Sequence, residues 1–372
     1  MHILHVVGAR PNFMKAAPVL HALADHSGVS QNLVHTGQHY DAAMSDVFFR
    51  QLGMPEPDCN LGVGSGSHAQ QTAAVMVALE PVLLERRPDL VLVYGDVNST
   101  VAAALVCSKL GIPVGHVEAG LRSRDRGMPE EINRLLTDQL SDLLFTPSAD
   151  GDENLLREGI ASTKINRVGN VMIDTLVRLL PNAEEKFPKD MPSPYALVTL
   201  HRPSNVDDLP WLTNLLATLA DLSTHLHVIF PVHPRTRERL EAINLQHSRD
   251  RLRLIEPLPY LEFLALQRHA ALVITDSGGI QEETTFLNVP CLTVRENTER
   301  PITVILGTNQ LVGRDLNKLR CAAGEILRRA PASDNGRELN TTRVPLWDGH
   351  AAGRIAEVIV RASGGQSSCP RK

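Results

Sequence analysis

The chain has 372 residues, enough for two domains of ordinary size, and its 43% apolar content is enough to fill their cores. A formal net charge of -5, with no long run of one sign, argues against a nucleic-acid groove. The longest apolar runs are too short to span a bilayer. Five cysteines, Cys59, Cys107, Cys291, Cys321 and Cys369, are scattered and form no C-x-x-C pair. Neither a disulfide framework nor a structural zinc site is expected, and a reducing cytoplasm fits. The N-terminus enters the apolar Ile3-Leu4-His5-Val6-Val7 without a basic leader, so no signal peptide is expected.

His2 to Val7 reads as the first strand, and Gly8 to Lys15 turns into a helix burying Val19, Leu20 and Leu23. Leu33 to Thr36 is a second strand, followed by Gly37-Gln38-His39-Tyr40-Asp41. Gly62 to Ser67 is a glycine-serine loop, and His68 starts a helix reaching about Glu85. Asp89 to Tyr94 is a strand ending in Gly95-Asp96, with a helix after it. Ile112 to Val117 ends in Glu118, Pro129-Glu130-Glu131 starts a helix, and Leu143 to Thr146 is a further strand. The strands are apolar in runs, with helices between them, which is the pattern of a parallel sheet covered on both faces.

Pro181 to Pro194, rich in Pro, Lys, Glu and Asp, reads as a linker. The pattern then restarts with strands at Ala196 to Leu200, His227 to Phe230 and Leu252 to Ile255. Helices are expected near Trp211 to Leu222 and Tyr260 to Gln267. Ala270 to Thr275 is a strand, Asp276-Ser277-Gly278-Gly279 a turn, Ile280 to Leu287 a helix, and Cys291 to Val294 a strand. The expected organisation is two doubly wound parallel-sheet domains, 1–180 and 195–352, then a terminal helix at 353–362 and a disordered tail at 363–372. Ligands of such sheets bind outside the carboxyl ends of the strands, and two halves in tandem leave a cleft between them.

Unusual polar residues cluster at those strand ends. They are Arg10 and Lys15, Asp96, Glu118, His201-Arg202, His233-Pro234-Arg235 and Ser277-Gly278-Gly279. Ser277-Gly278-Gly279 suits a phosphate cradle at a helix N-terminus, and Glu283, one turn on, suits ribose hydroxyls. Each residue also has a bland reading: Ser277 as an ordinary helix cap, Arg10 bonded to a carbonyl, Lys15 solvated, Glu118 paired with Arg122. His225 and His227 alternate on a strand, but no third metal ligand falls at a fixed spacing. Cations at several strand ends suit a diphosphate, and carboxylates beside them suit proton transfer at carbon.

Several motifs stand together in the order of a known family. They are Gly8-Ala9-Arg10-Pro11 with Lys15, Thr36-Gly37-Gln38-His39, Gly95-Asp96, and Gly115-His116-Val117-Glu118-Ala119-Gly120-Leu121-Arg122. Pro129-Glu130-Glu131-Ile132-Asn133-Arg134, Thr199-Leu200-His201-Arg202, Asp276-Ser277-Gly278-Gly279-Ile280-Gln281-Glu282-Glu283 and Thr298-Glu299-Arg300-Pro301 complete the set. The chain resembles the non-hydrolysing UDP-N-acetylglucosamine 2-epimerases from about Ile3 to past Gly313. The resemblance implies Rossmann-like domains in a GT-B-like arrangement with a UDP-sugar in the interdomain cleft. It implies interconversion of UDP-GlcNAc and UDP-ManNAc by elimination and re-addition of UDP through 2-acetamidoglucal, with no cofactor or metal, in a homodimer. It also implies that Arg10, Lys15, His201, Ser277, Gly278, Gly279 and Arg300 hold the diphosphate. Glu283 then takes the ribose, Phe263 lies by the uracil, and Asp96, Glu118 and Glu130 serve proton transfer, with His201 assisting departure of UDP.

Two departures stand out. Asp41 replaces the residue expected after Gln38-His39 in members with a second, activating UDP-GlcNAc site, and the loop from Arg122 to Met128 is short. Both leave room for a UDP-diacetamido uronic acid whose carboxylate meets Arg124 or Arg126. A hydrolysing 2-epimerase, a glycosyltransferase of the same architecture and a non-enzymatic nucleotide-sugar sensor are the rival readings. An NAD-dependent oxidoreductase ranks last, since Gly8-Ala9-Arg10-Pro11 lacks the G-x-G-x-x-G spacing.

Overall fold

The computed structural model describes residues 1–38, 49–232, 234–242, 251–329, 339 and 343–365. His39, Tyr40, Asp41, His233 and the tail from 366 onward lie outside the described residues. The chain divides into two units, Met1–Thr175 with Pro345–Lys372, and Leu176–Val344.

The first unit is built on seven parallel strands. These are β1 (His2–Val7), β2 (Ser30–His35), β3 (Cys59–Asn60), β4 (Leu90–Tyr94), β5 (Val114–Val117), β6 (Leu143–Thr146) and β7 (Ile165–Arg167), in the order β3-β2-β1-β4-β5-β6-β7. The helices between them are α1 (Arg10–Ala24), α2 (His68–Arg86), α3 (Asn98–Leu110), α4 (Pro129–Leu140) and α5 (Ala149–Arg157), and α6 (Val171–Glu184) follows β7 and runs on into the second unit. Leu4, Val6, Val34, Val91 and Val93 pack with Leu79 and Leu83 of α2 and Ala103 and Cys107 of α3. The sheet order reverses between β1 and β4, and the carboxyl ends of strands at such a reversal are where ligands of these sheets bind.

The second unit repeats the plan with six parallel strands. They are β8 (Tyr195–Thr199), β9 (His227–Pro231), β10 (Leu252–Ile255), β11 (Leu272–Thr275), β12 (Cys291–Thr293) and β13 (Asn309–Leu311), in the order β10-β9-β8-β11-β12-β13. Its helices are α7 (Pro203–Val206), α8 (Leu209–Leu222), α9 (Pro234–Ala242), α10 (Tyr260–His269), α11 (Gly278–Leu287), α12 (Ile302–Ile305) and α13 (Leu316–Arg329). The order reverses between β8 and β11, so His201 and Ser277 follow neighbouring strands.

Two expectations from composition need correction. Pro181 lies inside α6, so the linker starts later than composition suggests. Leu176, Leu179 and Ala183 are buried at helical spacing, and that apolar face carries the helix through the proline. The terminal helix, α14 (Ala351–Gly365), runs from two residues before the expected start at 353 through 363–365, the first residues of the expected tail. It belongs to the first unit and packs on α1. The Asp174 carboxylate receives the free N–H groups of Ala351 and Ala352 at 3.1 and 2.7 Å, which caps the helix. Just before it, buried Trp347 donates its indole N–H to the carbonyl of Pro147 at 2.9 Å. Trp347→Ala is expected to cost the first unit about 3–5 kcal/mol, read as a lowered urea midpoint.

Candidate functional site

At the carboxyl end of β5 the backbone of Glu118 takes φ 74°, a left-handed conformation that costs a non-glycine residue on the order of 1–3 kcal/mol. The side chain meets Lys15 of α1 in a buried ion pair. Gly95, after β4, lies against this pair. A Cβ there would stand 2.7 Å from Lys15 Nζ and 3.3 Å from Glu118 Oε2, and its φ is 62°, so both space and backbone require glycine. Asp96 is therefore the residue following that contact. Its half-buried carboxylate faces Arg134 of α4 at 3.4 Å, and its carbonyl accepts from Asn133 Nδ2 at 2.9 Å. Gly8, after β1, is required by space alone: a Cβ would lie 2.3 Å from Ser99 Oγ.

The structure thus brings Lys15, Glu118 and the Gly95-Asp96 turn together. Arg10 stands exposed at the first position of α1. Glu130 is exposed on the first turn of α4. Its neighbour Glu131 is buried and accepts from Ser123 N–H and Oγ, both at 2.9 Å, and from Arg124 N–H at 2.8 Å. Glu131 therefore fastens the short loop after Arg122. The bland pairing of Glu118 with Arg122 is absent: Arg122 contacts Asp138 at 2.7 Å and Glu158 at 2.6 Å.

In the second unit the turn after β11 is fixed by Asp276. Its buried carboxylate accepts from the backbone N–H of His201 and Arg202 at 3.2 and 3.0 Å and from Asn205 Nδ2 at 3.1 Å. His201 Nδ1 lies 3.1 Å away. Burial works to raise the Asp276 pKa, but hydrogen bonding and charge from His201, with Asn205 and Arg202, hold it below the usual carboxylate value. One carboxylate thereby ties the ends of β8 and β11 together and orients the His201 ring.

Ser277 occupies the N-cap position of α11, yet its hydroxyl makes no capping bond. The first-turn N–H groups of a helix have no intrahelical acceptors, so this end can receive an anion. Gly278 is required by packing, because a Cβ would fall 2.3 Å from Arg300 Nη1. Around Gly279 a Cβ would meet nothing within 4 Å, so the backbone there is open to approach. Arg300 is held by two buried acids, Glu282 at 2.8 Å and Glu299 at 2.6 Å. Glu283 is buried within α11 and accepts from the Tyr260 hydroxyl at 2.9 Å. Its other oxygen is buried with no hydrogen-bond partner among the described residues. Burial pushes its pKa up to about 7, against the opposing influence of Tyr260 and Gln267. Phe263 sits half-buried on the same α10 as Tyr260.

The supporting acids Asp276, Glu131, Glu282 and Glu299 were not singled out from the sequence. Each lies inside or beside a quoted motif, but only the contacts distinguish a clamp from a reacting group. Among the described residues no group of three or more His, Cys, Asp or Glu is arranged to hold a metal ion. No described helix is long and apolar enough to cross a membrane.

The family model for UDP-N-acetylglucosamine 2-epimerase matches residues 21–360. The chain is 42% identical to a UDP-N-acetylglucosamine 2-epimerase of Methanocaldococcus jannaschii, covering 96% of this chain and 99% of that one. It is 41% identical to the UDP-2,3-diacetamido-2,3-dideoxy-D-glucuronate 2-epimerase of Pseudomonas aeruginosa, over 97% and 100% of the two chains. The crystal structure of the M. jannaschii UDP-GlcNAc 2-epimerase, in complex with UDP-GlcNAc and UDP, superposes with a TM-score of 0.85, covering 97% of this chain and 100% of that one. Two parallel-sheet α/β domains are what the GT-B-like expectation required. By sequence and by fold, this chain belongs to the UDP-N-acetylglucosamine 2-epimerase family and is an isomerase.

Proposed function

We propose that the protein interconverts UDP-GlcNAc and UDP-ManNAc by eliminating UDP and adding it back to bound 2-acetamidoglucal. The observation that carries this reading is the carboxylate of Glu118, on a strained backbone and in buried contact with Lys15, beside the Gly95-Asp96 turn. A C2 hydrogen is weakly acidic, so its removal depends on a base fixed in position and shielded from water. Asp96, Glu118 and Glu130 are assigned to proton transfer on the two faces of C2. The ion pair with Lys15 holds the Glu118 carboxylate in one orientation.

In this reading the start of α11 receives the departing diphosphate. The uncapped Ser277, the N–H groups of Gly278 and Gly279, His201 and Arg300 stabilise the charge that UDP gains as its bond to C1 breaks. Arg10 and Lys15 add positive charge. Glu283 offers its carboxylate to the ribose hydroxyls, and Phe263 lies by the uracil. The route is redox-neutral and calls for no cofactor. A cytoplasmic homodimer is the assembly proposed.

A second substrate is favoured by one feature of the loop after β5. Exposed Arg124 has φ 61° and extends Nη2 to Asn154 Oδ1 at 3.2 Å, where a uronic-acid carboxylate could compete for it. The P. aeruginosa relative acts on such a sugar by its name.

Incubation with UDP-GlcNAc in D2O, followed by NMR, is expected to place deuterium at C2 and produce a UDP-ManNAc signal. Exchange seen with the diacetamido uronate and absent with UDP-GlcNAc selects the second substrate. Release of free ManNAc identifies a hydrolysing enzyme. Asp96→Asn and Glu118→Gln are each expected to slow C2 exchange by about 100-fold or more, with UDP affinity kept, as measured by calorimetry. Turnover near wild type in either variant removes that residue's role.

Glu283 also sets a pH dependence. Its ordinary value is 4.5 and its folded value is about 7, so between them the folded chain holds the extra proton. That contribution to stability is full below the lower value and is lost as pH rises through the upper one. Without ligand, the wild-type denaturation midpoint should fall across this window relative to Glu283→Gln, which is neutral throughout. Parallel profiles for the two proteins would contradict the assignment.

A further inference from the structure

Asp138 lies on α4, two turns beyond Glu130, and is fully buried. Its Oδ1 faces His116 Nδ1 at 2.6 Å. Its Oδ2 accepts from Gly120 N–H at 3.1 Å and meets Arg122 Nη1 at 2.7 Å. These three partners flank Glu118: His116 two residues before it, Gly120 two after, Arg122 four after. The far nitrogen of His116, Nε2, lies 2.8 Å from the carbonyl of Gly95, the residue preceding Asp96.

Asp138 therefore touches one catalytic turn directly and the other through a single imidazole. We propose that Asp138 and His116 are positioning residues that hold the turns bearing Glu118 and Asp96 in register for proton transfer.

The chemistry of the ring supports this. An ionised carboxylate and a backbone carbonyl are both acceptors only, so His116 makes both bonds only when both its nitrogens carry hydrogen. The cluster then balances, with His116 and Arg122 against Asp138 and Glu158. Burial works to raise the Asp138 pKa, and His116 and Arg122 overcome it, holding the carboxylate below its usual value. The device also explains why the strained φ of Glu118 persists. The backbone on its far side is fastened at Gly120, whose own φ is 82° and where a Cβ would stand 2.5 Å from the carbonyl of Gly151. Helix α4 adds two further grips on the Asp96 turn, Asn133 Nδ2 on the Asp96 carbonyl at 2.9 Å and Arg134 facing its carboxylate at 3.4 Å.

The inference rests on the proposed proton transfer at C2, and the test separates the two. Wild-type turnover in D2O decides that reaction. For Asp138, the variants are Asp138→Asn and His116→Gln, with folding checked by near-UV circular dichroism and thermal melting. A positioning role predicts a kcat at least about tenfold lower in each folded variant, with KM and UDP affinity within about twofold of wild type. A folded variant of either kind that keeps kcat within about twofold overturns the proposal, as does a matched rise in KM. If Asp138→Asn fails to fold, His116→Gln decides alone. Selective 15N-histidine labelling gives a readout independent of turnover. Both His116 nitrogens are expected to carry hydrogen in the wild type, and Nε2 alone in Asp138→Asn. A wild-type ring with one bare nitrogen overturns the inference even if the epimerase reading stands.

Discussion

The first unit is arranged around a carboxylate held on a backbone conformation that a non-glycine residue rarely adopts. Glu118 sits in the left-handed region, and its charge is buried against Lys15. A buried ion pair is a poor source of net stability, because desolvating both charges offsets most of their attraction. What such a pair supplies is a fixed direction. The surrounding sequence is shaped around it. Gly95 has no side chain because Lys15 Nζ occupies the place a Cβ would take, and Gly120 has none because the Gly151 carbonyl does. Strain and burial of this kind persist only where the neighbouring contacts over-determine them.

The second unit solves a different problem, that of presenting positive potential without a bare cluster of cations. Arg300 is held by Glu282 and Glu299, and Arg295 also bonds Glu299 at 2.7 Å. The side-chain charges there are largely matched. The α11 terminus beside them has no side-chain cap, and the dipole and N–H groups of such a helix start are fixed by the fold. Asp276 performs the equivalent service for His201, anchoring the loop backbone with the same carboxylate that orients the ring. In both units, then, buried acids inside the motifs hold the neighbouring backbone and cations in place.

Much of this was legible in the chain. The apolar runs located β1, β4, β6, β9 and β11 to within a residue or two, because a parallel strand covered on both faces is largely apolar. β7 (Ile165–Arg167), β13 (Asn309–Leu311) and the two-residue β3 escaped, since they are short and half or more polar and so carry no apolar run. Helix α13 escaped for another reason: its Leu-Asn-Lys-Leu-Arg-Cys pattern buries few residues, and those it buries are largely alanines. Pro181 misled because proline composition outweighed the apolar spacing on either side of it.

The sequence by itself determined the fold class, the family and the set of residues at the strand ends, because strand periodicity and motif order are local properties. Tertiary structure alone decided which of two adjacent acids is buried and bonded and which is exposed. Glu130 and Glu131 are adjacent and chemically alike, yet one is exposed and the other is consumed by three hydrogen bonds. Arg122 could have reached Glu118 along the chain and instead meets Asp138 and Glu158, 16 and 36 residues away by numbering. A carboxylate's role is set by what surrounds it in space, and the distances that matter are closed only when the sheet brings β4, β5 and α4 side by side.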